Sequence, residues 1–183
     1  MAWSKVQQVR LATERGILEE FFKDKVEWID PTNPSQTRVE LDLKSSSDRK
    51  YKLRLYLNED FPNSCPHMAI VYPKNLRTKN NRPLPLLDKS FHTLGYTVDK
   101  FTKLCHFSPD LWTADNTLYQ VLMKGIMWIE AYEGHLDTGN PMDFYLGEQP
   151  EAIQGQNEEQ ISPEIDEPVP LPEEETKRGC FIS

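Results

Sequence analysis

The chain has little of what marks a secreted or membrane-spanning protein. Its 183 residues include only three cysteines, Cys65, Cys105 and Cys180, odd in number and far apart. Such a set gives no disulfide framework and no zinc-ligand spacing, and it suits a reducing compartment. His67 and His135 are isolated, which leaves no clustered ligands for a metal. No apolar run approaches the roughly 20 residues that span a bilayer. The first residues form an amphipathic stretch rather than a charged region followed by an apolar signal core, so a cytoplasmic location is expected. Positive charge is short as well: 21 Lys and Arg face 29 Asp and Glu, for a net charge of −8. No basic stripe with interleaved aromatics occurs, and this argues against nucleic acid as a partner.

The acidity is local. Ten acidic residues follow Leu146, from Glu148 to Glu175, and only Lys177 and Arg178 oppose them. That segment therefore carries the whole net charge of −8, and residues 1–146 balance. It also holds five prolines and few large apolar residues. A segment of this kind buries too little surface to offset its ordering entropy. The expected organisation is one folded domain over 1–146 and a disordered, acidic, Pro-rich tail over 147–183.

Within the domain, Val6, Val9, Leu11, Leu18, Phe21 and Phe22 recur at three- and four-residue steps, which predicts a helix from Ser4 to about Lys23. Asp30-Pro31-Thr32-Asn33-Pro34 is a turn cluster. Val26, Trp28 and Ile29 make one short strand. Val39, Leu41 and Leu43 alternate with Glu40, Asp42 and Lys44, and Leu53, Leu55 and Leu57 alternate with Lys52, Arg54 and Tyr56; both read as half-buried strands. Met68 to Tyr72 gives a fourth, after the turn Phe61-Pro62-Asn63-Ser64-Cys65-Pro66. Lys74 to Lys89 reads as a loop, and Phe91 to Leu104 shows some alternation without a clear assignment. Thr117 to His135 carries the strongest helical pattern, with Asp115 or Asn116 as its N-cap and Gly139-Asn140-Pro141 as its stop. Apolar residues lie nearly all round this helix, so it belongs to the core. A helix followed by a meander of short strands predicts an α+β class with an antiparallel sheet.

Cys105 lies in Lys103-Leu104-Cys105-His106-Phe107-Ser108-Pro109-Asp110-Leu111-Trp112. From the residues alone two readings stay open. A lone cysteine is most often a buried hydrophobic side chain. An accessible, easily ionised one can carry an acyl group as a thioester. A cysteine-protease reading needs a histidine oriented by a third group, and no protease motif accompanies His92 or His106. Cys65, between Pro62 and Pro66, reads as structural.

The order of parts resembles the ubiquitin-conjugating enzymes. Leu104-Cys105, then Trp112 seven positions on, then Thr117-Leu118-Tyr119-Gln120-Val121-Leu122, is similar to the stretch around that family's thioester cysteine. The N-terminal helix, the four-strand meander and the Phe61-Pro62 to Cys65-Pro66 turn also match, so the resemblance covers roughly Ser4 to Leu136. The stretch from Trp128 to Gly139 looks more like the bacterial-type branch of the superfamily. The resemblance implies a transferase fold with an N-terminal helix, a four-stranded antiparallel meander and a C-terminal helical part. It implies a thioester on Cys105 with ubiquitin or a ubiquitin-like protein, delivered by an activating enzyme and passed to a lysine, with a ligase as a further partner. No cofactor is implied, since ATP is used only by the activating enzyme. The family's His-Pro-Asn signature falls on Phe91-His92-Thr93-Leu94. His92 takes the histidine position and no asparagine follows, so Thr93 and His106 are the candidate oxyanion donors. Asp137 matches the acid that helps deprotonate the incoming lysine; for it and for His106 a solvated loop side chain is the alternative. A catalytically silent member of the same fold, serving as a binding module for a ubiquitin-like protein or an adaptor, is the alternative function.

The sequence closes on Cys180-Phe181-Ile182-Ser183, a C-a-a-X pattern of the type that is farnesylated. One lipid anchors only marginally. The expected consequence is loose, reversible attachment to the cytosolic face of a membrane.

Overall fold

The computed structural model describes residues 2–147. The acidic tail and the Cys180 lipidation motif lie outside the described residues. What is described is an α+β arrangement of two longer helices, a short third one and one antiparallel sheet.

Helix α1 spans Lys5–Phe22. Its start is fixed by a capping box: the Ser4 hydroxyl accepts from the Gln7 N–H, and the Gln7 side chain accepts from the Ser4 N–H. Only Leu11, Glu14 and Leu18 of this helix are buried, while Val6, Val9 and Phe21 face solvent. The apolar residues whose recurrence marks this helix in the sequence therefore do not all face the core. A carboxylate, Glu14, takes a core position because it caps another helix. It accepts from the Leu118 N–H at 2.9 Å and from Arg10 Nε at 2.8 Å.

The strands are β1 (Val26–Ile29), β2 (Arg38–Lys44), β3 (Lys50–Tyr56), β4 (His67–Tyr72), β5 (Thr93–Tyr96) and β6 (Thr102–Leu104). The sheet order is β1-β2-β3-β4-β6-β5, all antiparallel. The expected four-strand meander is present, but the sheet has six strands. The stretch before Cys105, ambiguous in sequence, folds as a hairpin, and its β6 adds to β4 through Met68↔Leu104 and Ile70↔Thr102. Strands of four and three residues, shifted in register against each other, are too short to show a clear period of two.

One face of the sheet is apolar. Val39, Leu41, Leu53, Leu55, Met68, Ile70 and Leu104 are at most 1% exposed. Helix α2 (Leu118–Thr138) lies over them with Leu118, Val121, Leu122, Trp128 and Ile129. Close approach is made possible by Gly125. A Cβ there would stand 2.6 Å from Met68 Sδ and 2.7 Å from Leu53 Cδ1. The N-cap of α2 is Thr117, rather than Asp115 or Asn116, because Thr117 and Gln120 form a reciprocal capping box. The stop at Gly139 is as expected, in a left-handed conformation (φ +85°). A short helix, α3 (Asp143–Leu146), then packs back towards the segment before β5, with Met142 N–H on Ser90 O. The opposite face of the sheet is charged: Glu40 accepts from Arg54 and pairs with Lys52, and Arg54 and Arg38 both reach Asp99. Among the described residues no helix is long and apolar enough to cross a membrane.

Candidate functional site

The site builds up from a turn. The Asp88 carboxylate accepts from the Ser90 N–H and starts a single 3-10 turn, Lys89–Phe91. His92 closes it in a left-handed conformation (φ 49°, ψ 46°). The chain then runs through β5 and β6, and the hairpin returns Cys105 beside His92, where the Cys105 N–H donates to the His92 carbonyl at 2.9 Å. Four of the sequence-predicted positions, His92, Thr93, Cys105 and His106, therefore sit together at the base of the hairpin. All four are buried, Cys105 at 1% exposure and Thr93 at 2%.

Each polar side chain in this set has a structural task. The Thr93 hydroxyl donates to Pro85 O at 2.9 Å and accepts from the Asp88 N–H at 3.3 Å. His106 Nε2 donates to Pro66 O at 2.9 Å, which makes it the protonated nitrogen of the neutral ring. Nδ1 of the same ring faces Leu104 O at 3.3 Å. Burial pushes the His106 imidazole down to about 4, outweighing the two carbonyls that favour its charged form. His92 Nε2 stands 2.7 Å from an Asp143 carboxylate oxygen of α3. Asp137 stands apart, in the exposed last turn of α2, where its carbonyl takes Lys79 Nζ at 2.6 Å.

Three neighbours carry no signal of their role in the sequence. Asp143 meets His92 only because α3 folds back, and no spacing along the chain announces that. The Cys65 sulfur lies 3.6 Å from His106 Nε2, and burial pushes its thiol up to about 11, so it is held as a thiol. Lys103 is on β6 beside Cys65, and burial lowers its amine from the ordinary value. Downstream, Trp112 Nε1 donates to Pro62 O at 2.8 Å and its ring meets Phe107 edge-on at 5.4 Å. The two motifs that flank Cys105 in sequence are thus tied to each other in space.

Chemically, the cluster holds Cys105, disulfide-bonded in this structure, backed by a fixed turn, with hydroxyl and imidazole donors already committed to backbone carbonyls. Burial keeps His106 neutral across the physiological range. Among the described residues no group of three His, Cys, Asp or Glu side chains gathers to hold a metal ion. Neither a protein-family model nor a curated protein matches this sequence.

Proposed function

We propose that this chain is a ubiquitin-conjugating-type domain that works by binding a ubiquitin or ubiquitin-like protein, or an adaptor that carries one, without turnover on Cys105. The observation that carries this reading is the commitment of the would-be catalytic donors. Lysine attack on a thioester needs a donor aimed at the developing oxyanion and a base for the amine. Thr93 gives its proton to Pro85 O, and His106 gives its own to Pro66 O. His106 is also a poor base at neutral pH, because burial holds its conjugate acid near 4. Asp137 is exposed in the last turn of α2, where its backbone carbonyl, not its carboxylate, takes Lys79.

One observation favours the second reading, a transferase that forms a thioester on Cys105. The hairpin fixes Cys105 against the carbonyl of His92, the neighbour that the resemblance implies for a thioester cysteine. One experiment separates the two. The protein is incubated with activating enzyme, ATP and each of a panel of labelled ubiquitin-like proteins, then run on gels with and without reductant. The binding reading expects no reductant-sensitive adduct, together with saturable amide-shift changes when one of the unactivated modifiers is titrated in. A reductant-sensitive adduct that disappears in Cys105→Ala overturns it in favour of the transferase. Absence of both adduct and binding, across the panel, overturns both.

A further inference from the structure

Three cysteines give no framework of crossed bonds, yet they admit one pair, and the structure leaves one pairing open. Cys65 is free, and Cys105 is disulfide-bonded. Burial pushes the Cys65 thiol up to about 11, so at neutral pH it supplies little thiolate. Its sulfur is also turned to the His106 ring, 3.6 Å from Nε2. The chain holds only one further cysteine, Cys180, which lies outside the described residues. The place where the described chain ends suits such a bond. Asp143 of α3 stands 2.7 Å from His92 Nε2, and the Met142 N–H donates to Ser90 O at 3.1 Å. The Cys105 N–H donates to the His92 carbonyl at 2.9 Å. His92 therefore touches both the cysteine and the helix after which the last segment begins. Cys180 is 33 positions beyond Gly147, a length that reaches about 110 Å when fully extended, so the tether does not limit the encounter.

We propose that Cys105 and Cys180 form a reversible disulfide within one chain, a redox switch that takes both thiols out of service together. The oxidant is a small disulfide of the glutathione class. One protein thiolate attacks it, forming a mixed disulfide and releasing one small thiolate. The second protein thiolate attacks the protein sulfur of that mixed disulfide and expels the other small thiolate. Two protein thiols give up two electrons, their two protons pass to the departing thiolates, and one small disulfide becomes two small thiols. Because both cysteines belong to one chain, closure has an effective concentration on the order of millimolar, which favours it over bonding to a second copy. In the closed form Cys105 has no free sulfur to carry an acyl group, and Cys180 has none to take a lipid. Reduction returns both. The switch operates whether the domain binds a modifier or transfers one.

The test equilibrates the full chain in a series of buffers of reduced and oxidised glutathione. Free thiols are then blocked with N-ethylmaleimide, the protein is digested at low pH, and the peptides are read by mass spectrometry. No activating enzyme or modifier is present, so the outcome is independent of the adduct assay. In oxidising buffer the expected product is a monomer that yields a peptide linking Cys105 to Cys180, with Cys65 alkylated. The linked fraction is expected to fall from nearly all to nearly none as reduced glutathione is raised, and to return when the oxidised form is restored. Cys65→Ser is expected to leave the linked peptide unchanged. Cys180→Ser, a change outside the described residues, is expected to abolish it and to leave Cys105 alkylated or glutathionylated. A bond from Cys105 to Cys65, a bond found only between two copies, or no bond at any ratio overturns the proposal. So does a linked fraction that ignores the glutathione ratio, because the bond is then fixed rather than switched.

Discussion

Replacing His106 should change how the protein responds to acid, and the size of the change follows from the structure. The ring is 4% exposed, and its protonated form has a folded-state value near 4 against an ordinary 6.5. Between those two pH values the unfolded chain binds a proton that the folded chain refuses. Stability therefore rises with pH across the window and is lost as pH falls from about 6.5 towards 4. A tenfold difference in proton affinity between the folded and unfolded chains is worth about 1.4 kcal/mol, so the full loss assigned to this one ring is about 3 kcal/mol. His106→Gln keeps a donor for Pro66 O and removes the titration. The assay is urea unfolding followed by tryptophan fluorescence at pH 7, 6, 5 and 4.5, in wild type and variant. The expected result is a wild-type stability that declines more steeply than the variant's below pH 6.5, the gap changing by about 2–3 kcal/mol by pH 4.5. Nearby His67, whose own value burial also lowers, is present in both proteins and cancels to first order. A gap that stays constant within about 0.5 kcal/mol refutes the reasoning, because His106 then titrates alike in the folded and unfolded chains.

Three further outcomes are expected. Gly125→Ala should lower unfolding free energy by about 1–2 kcal/mol in the same assay at pH 7, despite alanine's better helix propensity, because the added methyl overlaps Met68 and Leu53 in a filled core. Glu133→Ala should cost about 2–3 kcal/mol, since this buried carboxylate on α2 takes hydrogen bonds from Tyr51, Ser45 and Arg49 and its loss strands the first two; Glu133→Gln should recover part of that. Thr93→Val should cost about 1–2 kcal/mol through the lost bond to Pro85 O, and in the activating-enzyme assay it should leave the adduct result unchanged; a changed adduct yield would place Thr93 in the chemistry after all.

Sequence alone determined the elements whose signals are local. The alternation of Val39, Leu41, Leu53 and Leu55 marks two half-buried strands where the fold has them, because a strand with one wet face must alternate. The apolar density from Leu118 to Tyr132 marks the core helix, and Gly139 its end, because only a residue free to take positive φ closes a helix that way. The block around Cys105 and Trp112 marks where polar and sulfur-bearing side chains gather. Tertiary structure decided what depends on partners distant in the chain. The hairpin strands β5 and β6 are too short for a period to register, and they become a sheet edge only by pairing with β4. Nothing in the local sequence marks Glu14 for burial; it is buried because α2 places the Leu118 N–H beside it. Thr93 and His106 read equally well as donors to a substrate, and only the fold shows that Pro85 and Pro66 already take their protons. The physical reason is common to all three: periodicity and turn chemistry act over a few residues, whereas the partner of a buried polar group is set by where the whole chain places the next acceptor.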